Sequence, residues 1–146
     1  MIFSKSSGYA IRAILYLALI NNEKSKVRVD DISRELMVPK HFLSKVLKKL
    51  VKKGVLDSTK GPYGGFSLNK ETLSITLFDL VALTNGELQF DNCVLRLKKC
   101  NPSHPCPLHE KMVSFKQDLQ RTLMNTSIGD LLNPEQPEFI KSIATI

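Results

Sequence analysis

Cysteine is scarce and confined. The 146-residue chain has three, Cys93, Cys100 and Cys106, and all lie in the run Cys93-Val-Leu-Arg-Leu-Lys-Lys-Cys100-Asn-Pro-Ser-His-Pro-Cys106-Pro-Leu-His109. An odd, clustered set fits poorly with a disulfide framework. Long apolar runs are missing too: the eight residues from Ala13 to Ile20 cannot cross a bilayer. Arg12 interrupts that stretch and no small-residue cleavage site follows Asn21, so it is not read as a signal peptide. The expectation is a cytoplasmic protein without a membrane partner, whose thiols stay reduced. Acidic residues are absent between Lys40 and Lys53, where six lysines fall. The glycine-rich stretch near residue 61 lacks the Gly-Lys-Ser/Thr ending of a phosphate-binding loop. No orienting acid or oxyanion arrangement accompanies the cysteines and histidines, so the chain is not read as an enzyme.

Thiols spaced along one proline-rich loop can wrap a soft metal or an iron-sulfur cluster. The length allows one domain, or a small domain with an assembly element. The net charge of +7 is unevenly placed: residues 1–60 hold 13 Lys and Arg against 5 acids, and residues 61–146 hold 8 against 9. The N-terminal portion is therefore the anion-binding part.

Tyr9, Ala13, Leu17 and Ile14, Ala18 recur at helical spacing after the capping serines Ser4 to Ser7, and predict a first, largely buried helix. Asp30 or Asp31 is expected to cap a short second helix carrying Ile32 and Leu36, ending before Pro39. Pro39 is expected in the first turn of a third, with Phe42, Leu43, Val46, Leu47 and Leu50 on one face. Lys40, His41, Ser44, Lys45, Lys48 and Lys52 take the other face, and Gly54 stops the helix. Two short helices joined by a tight turn, the second basic on one side, describe a helix-turn-helix. Val55 to Ser58 and Phe66 to Leu68 then read as strands around Thr59-Lys60-Gly61-Pro62-Tyr63-Gly64-Gly65, a wing. A helix over Thr76 to Leu83 packs beneath it. Expected DNA contacts are Lys40, His41, Ser44, Lys45 and Lys48 on the recognition helix, with Lys60, Gly61 and Tyr63 on the wing. The lysines position the protein on phosphates, and His41 and Ser44 reach base edges.

Past the cysteines, Leu108, Met112, Phe115, Leu119 and Leu123 or Met124 repeat at intervals of four and three, a seam that needs a partner. Cys106 is expected to cap this helix and Pro107 to take its first position, which brings His109 within reach of the centre. The tail from Thr126 to Ile146 is expected to end loosely ordered.

The fold class is thus mainly α with a small β wing: a winged helix-turn-helix domain over 1–90, a cysteine-rich loop over 91–109, and a long dimerisation helix with tail over 107–146. On Tyr9-Ala10-Ile11-Arg12-Ala13, Asp31-Ile32-Ser33, Pro39 to Leu50, Lys60-Gly61-Pro62-Tyr63-Gly64-Gly65-Phe66 and the cysteine loop, the chain resembles the Rrf2 family of winged-helix transcription regulators. The resemblance covers nearly the whole length. It implies a homodimer that presents two recognition helices and two wings to a pseudo-palindromic double-stranded DNA operator, as a repressor. It also implies an iron-sulfur cluster near the start of each dimer helix that reports iron-sulfur status, nitric oxide or redox state.

In the family's cluster-regulator branch a histidine completes a Cys-three-His 2Fe-2S set, which implies Cys93, Cys100, Cys106 and His109 here. His104 is the weaker substitute. In the nitric-oxide branch the fourth ligand is an acid on the first helix of the other subunit, and Gly8 stands at that place. Six residues separate Cys93 from Cys100 where the cluster branch has five, which leaves a 4Fe-4S cluster open. Ser44 occupies the place of a glutamate that helps that branch exclude one class of operators. Two alternatives remain: a structural Cys-three-His zinc site in a constitutive nucleic-acid-binding protein, and a thiol-redox switch without a cluster.

Overall fold

The computed structural model describes residues 3–20, 26–85, 92–95, 97, 100–132 and 143. Helix α1, Lys5–Ile20, is opened by Ser4, whose hydroxyl accepts the Ser7 amide at 3.1 Å. Its Ala10, Ala13, Ile14 and Leu17 are fully buried against α3 (Lys40–Lys52) and α4 (Leu77–Asn85). Ser7 and Thr84 share a buried hydroxyl hydrogen bond of 2.7 Å that fixes α1 against α4.

Helix α2, Val29–Leu36, starts after Arg28 without a side-chain cap. Asp30 and Asp31, expected as caps, lie inside the first turn, where a carboxylate still complements the helix dipole. Their side chains turn to cations instead: Asp31 to Arg34 at 2.9 Å and Asp30 to Lys40 at 2.5 Å. The helix ends at Met37, which adopts a left-handed conformation (φ 54°, ψ 44°) and donates its amide to Arg34. Ser33 closes the turn by donating to the Val38 carbonyl at 2.7 Å. Pro39 stands one step outside α3 as an extended cap, and Gly54 follows its end at φ 78°.

Strands β1, Leu56–Thr59, and β2, Gly65–Leu68, pair antiparallel with Leu56 opposite Leu68 and Thr59 opposite Gly65. Both begin one residue from the expected positions. Val27 adds a stub of third strand, exchanging backbone hydrogen bonds with Phe66 at 2.8 and 2.9 Å. Thr72 anchors the wing's base, its buried hydroxyl donating to the Val55 carbonyl at 2.6 Å.

Helix α5, His109–Asn125, contacts α4 and buries one side chain, Leu123. Of the tail from Thr126 to Ile146, expected to end loosely, the stretch Thr126 to Leu132 folds back, while residues 133–142 and 144–146 lie outside the described residues. Leu77 donates its amide to Thr126 at 2.8 Å, Ile128 donates to Ile75 at 3.0 Å, and the Ile128 side chain is fully buried. Removing an isoleucine of this kind from water contributes about 1.5–3 kcal/mol toward ordering the segment, beside its backbone hydrogen bonds. Ile143 also reaches the core. Among the described residues no helix is long and apolar enough to cross a membrane.

Candidate nucleic-acid interface and cysteine centre

The sequence period of α3 fixes which residues it can offer. Leu43, Val46, Leu47 and Leu50 are buried, which leaves Lys40, His41, Lys45, Lys48 and Lys49 exposed and Ser44 half-buried. Phe42, expected on the buried face, sits at its edge with its ring set edge-on to Tyr9, centroids 5.4 Å apart. Lys40 is engaged by Asp30, whose carboxyl is held below the usual carboxylate range chiefly by the hydrogen bond from Lys40. Lys45 and Lys48 have no acidic partner among the described residues. The counter-ion Asp30 was not legible in sequence, because a pair ten residues apart across a turn leaves no local signal.

The wing presents its tip directly after the basic N-terminal portion of the chain. Tyr63 is 94% exposed, Lys60 is exposed, and Gly61 holds φ 106°, with its carbonyl accepting the Gly64 amide at 3.0 Å. An exposed tyrosine contributes little to folding and offers a flat, amphipathic contact surface.

The cysteine centre is built from the loop before α5 and that helix's first turns. Cys100 Sγ lies 3.2 Å from His109 Nδ1. Cys93 is buried and accepts backbone hydrogen bonds from Leu97 and Leu95, then one from the Cys106 thiol. With the Lys116 charge nearby, these hold the Cys93 thiol below its ordinary value against the opposing effect of burial. Lys116 also ties the loop to α5 by donating to the Asn92 carbonyl. Cys106 and Pro107 do not form the cap and first position of α5. They occupy a turn closed by the His109 amide on the Cys106 carbonyl at 2.9 Å, and His109 itself is the first helical residue.

The structure therefore brings the four expected ligands into two contacts, Cys93 with Cys106 and Cys100 with His109. No group of three His, Cys, Asp or Glu residues converges among the described residues. A cleft of about 340 Å³ opens beside Cys100, His109, Val113, Lys116 and Gln117. His104 is exposed in the loop, its amide donating to Asn101. Gly8 lies on α1 with open space where a side chain would be. Leu108, just before α5, and Phe115 and Met124 along it are 39%, 53% and 47% exposed.

A helix-turn-helix with a basic second helix, followed by a two-stranded wing, defines a winged-helix regulator. The Rrf2 family, described as iron-dependent transcriptional regulators, matches residues 3–134, and the chain belongs to it. A protein of Aquifex aeolicus (strain VF5) described as an HTH-type transcriptional regulator is 40% identical over 93% of this chain and 94% of its own length. The HTH-type transcriptional regulator IscR of Klebsiella pneumoniae (strain 342) is 26% identical over 93% of this chain and 82% of its own. Among solved structures, CymR, the global cysteine regulator of B. subtilis, superimposes with a TM-score of 0.71 at 22% identity, covering 90% of this chain and 95% of that one.

Proposed function

We propose that this regulator acts as a homodimeric repressor that reads a two-fold DNA operator and whose cysteine centre holds an iron-sulfur cluster that alters operator affinity. The observation that carries this reading is the pairing of Cys100 with His109 and of Cys93 with Cys106 in the loop leading into α5, a helix with an apolar face exposed to solvent. The donor set suits iron with sulfide by its chemistry, since soft thiolates and a single imidazole are ligands such clusters accept. Cys93, Cys100, Cys106 and His109 would hold it, with 2Fe-2S favoured over 4Fe-4S. When bound, the cluster supplies a centre whose charge and integrity respond to redox state, nitric oxide and iron-sulfur supply.

The rest belongs to the chain's own residues. Lys45 and Lys48 contact phosphates, Lys40 joins them after leaving Asp30, and His41 and Ser44 reach base edges. Lys60, Gly61 and Tyr63 bring the wing to the adjacent backbone. A dimer formed through α5 sets the half-sites about one helical turn of DNA, or a multiple, apart. The test is to select operator DNA from sheared genomic fragments with anaerobically prepared protein, then measure affinity before and after nitric oxide. A large loss or gain on treatment supports the reading, and unchanged affinity at a site with two-fold symmetry contradicts cluster sensing.

A second reading, a thiol switch without a cluster, is favoured by the Cys93 thiol, which backbone hydrogen bonds from Leu97 and Leu95 hold below its ordinary value beside the Cys106 thiol. Colourless protein whose operator binding is lost with peroxide and restored by dithiothreitol would support it. A structural zinc site predicts operator binding indifferent to both treatments.

A further inference from the structure

We propose that Arg12 is a positioning residue that ties the C-terminal tail to the recognition helix, so that docking of Ile143 holds α3 in the orientation that reads DNA. This rests on the operator reading above. Arg12 lies on α1. Its Nε donates to the Ile143 carbonyl at 2.6 Å, and its Nη2 donates to the Leu36 carbonyl at 2.6 Å. Its guanidinium carbon stands 5.9 Å from the Tyr9 ring centroid, and that ring meets Phe42, in the first turn of α3, edge-on. One half-buried cation thus joins the tail, the end of α2 and the start of α3.

Its place is where the reading geometry is set. Leu36 is the last residue of α2, so its carbonyl has no partner within the helix, and a cation there also complements the negative end of the dipole. The next residue, Met37, turns the chain through a left-handed conformation that a residue with a Cβ disfavours. A turn of this kind persists when its surroundings hold it. On one side the hold is the bond from Ser33 to Val38, and on the other it is Arg12. Ile143 secures the guanidinium from behind, its side chain buried in the core beside α1. The two carbonyls come from segments far apart in sequence. A planar fork satisfies both at once, as a lysine ammonium on its flexible stem does not.

The test compares Arg12→Lys, a chain ending at Ser142, and the two changes combined, by amide hydrogen exchange and by affinity for operator DNA across a salt series. Each change should speed exchange at Met37 and Val38 about 3- to 30-fold. The combination should add little to either, because both cut the same tie. Exchange at Leu56 and Phe66 in the wing should stay as it was, which separates a loosened turn from a weakened fold. Operator affinity should fall by a comparable factor with an unchanged salt slope, since no phosphate contact is lost. Unchanged exchange at the turn in the shortened chain, effects that add, or equal acceleration in turn and wing would each overturn the proposal. The exchange arm needs no DNA, so failure of the unaltered chain to bind any duplex would count against the operator reading alone.

Discussion

At Gly65 the backbone leaves no room for a side chain. A Cβ there would stand 2.6 Å from the Val27 carbonyl carbon, and one at Gly64 would stand 2.1 Å from the Thr59 carbonyl oxygen. Gly65 also holds φ 155°, within the region that favours glycine. We expect Gly65→Ala to cost about 1–3 kcal/mol in thermal unfolding and to weaken DNA binding with it. An unchanged melting temperature would mean that Val27 can withdraw from the wing at no cost. Asp30 supplies a second residue-scale prediction. Its lowered pKa means that the pair with Lys40 stabilises the fold above the ordinary carboxylate range and is lost as pH falls through the depressed value. The stability difference between Asp30→Asn and the parent should therefore be steady near neutrality and vanish in acid, as melts across pH will show. The same substitution frees Lys40, which otherwise has to leave Asp30 to reach phosphate, so DNA affinity should rise with the salt slope unchanged. The glycines of the wing were legible in sequence because their spacing announces a turn. Arg12 was not, because its partners lie in two remote segments and its own neighbourhood reads only as a break in an apolar run.

Among the elements, α3 was the most legible, since a 3.6-residue period separates Leu43, Val46, Leu47 and Leu50 from the lysines without help from tertiary structure. Lys48 is exposed on that helix and free of acidic partners among the described residues. Lys48→Ala should weaken binding to all duplexes alike and flatten the salt slope by about one unit. A changed base preference at constant slope would instead assign Lys48 to base reading. Element ends were less legible. Cys106 and Pro107 suggest a helix start by propensity, yet the chain spends them on a closed turn, and α5 begins at His109. Val27 was missed as a strand because a single bridging residue has no period to read. The return of Thr126 to Leu132 was missed because its order comes from Ile75, Leu77 and the core rather than from local pattern.

At the scale of the whole molecule two features point to assembly: positive charge gathered in the first 60 residues, and an α5 face on which Phe115 and Met124 are exposed among the described residues. Phe115 is 53% exposed, so Phe115→Lys should change folding stability by no more than about 0.5 kcal/mol. It should nonetheless abolish self-association in sedimentation experiments and, with it, tight binding to a two-fold operator. A variant that remains dimeric would show that another surface joins the subunits. The closeness of the three cysteines was legible from their spacing and the choice of His109 came from the family resemblance, whereas the separation into a Cys93–Cys106 contact and a Cys100–His109 contact was not legible, because a loop's path depends on what it packs against. The most direct test is anaerobic purification with an absorption spectrum and assays of iron, acid-labile sulfide and zinc on one sample. The account predicts brown protein with iron and sulfide in near-equal amounts, and a spectrum altered by His109→Ala. Colourless protein containing zinc, or no metal, would contradict it and leave a DNA-binding regulator that senses by its thiols or not at all.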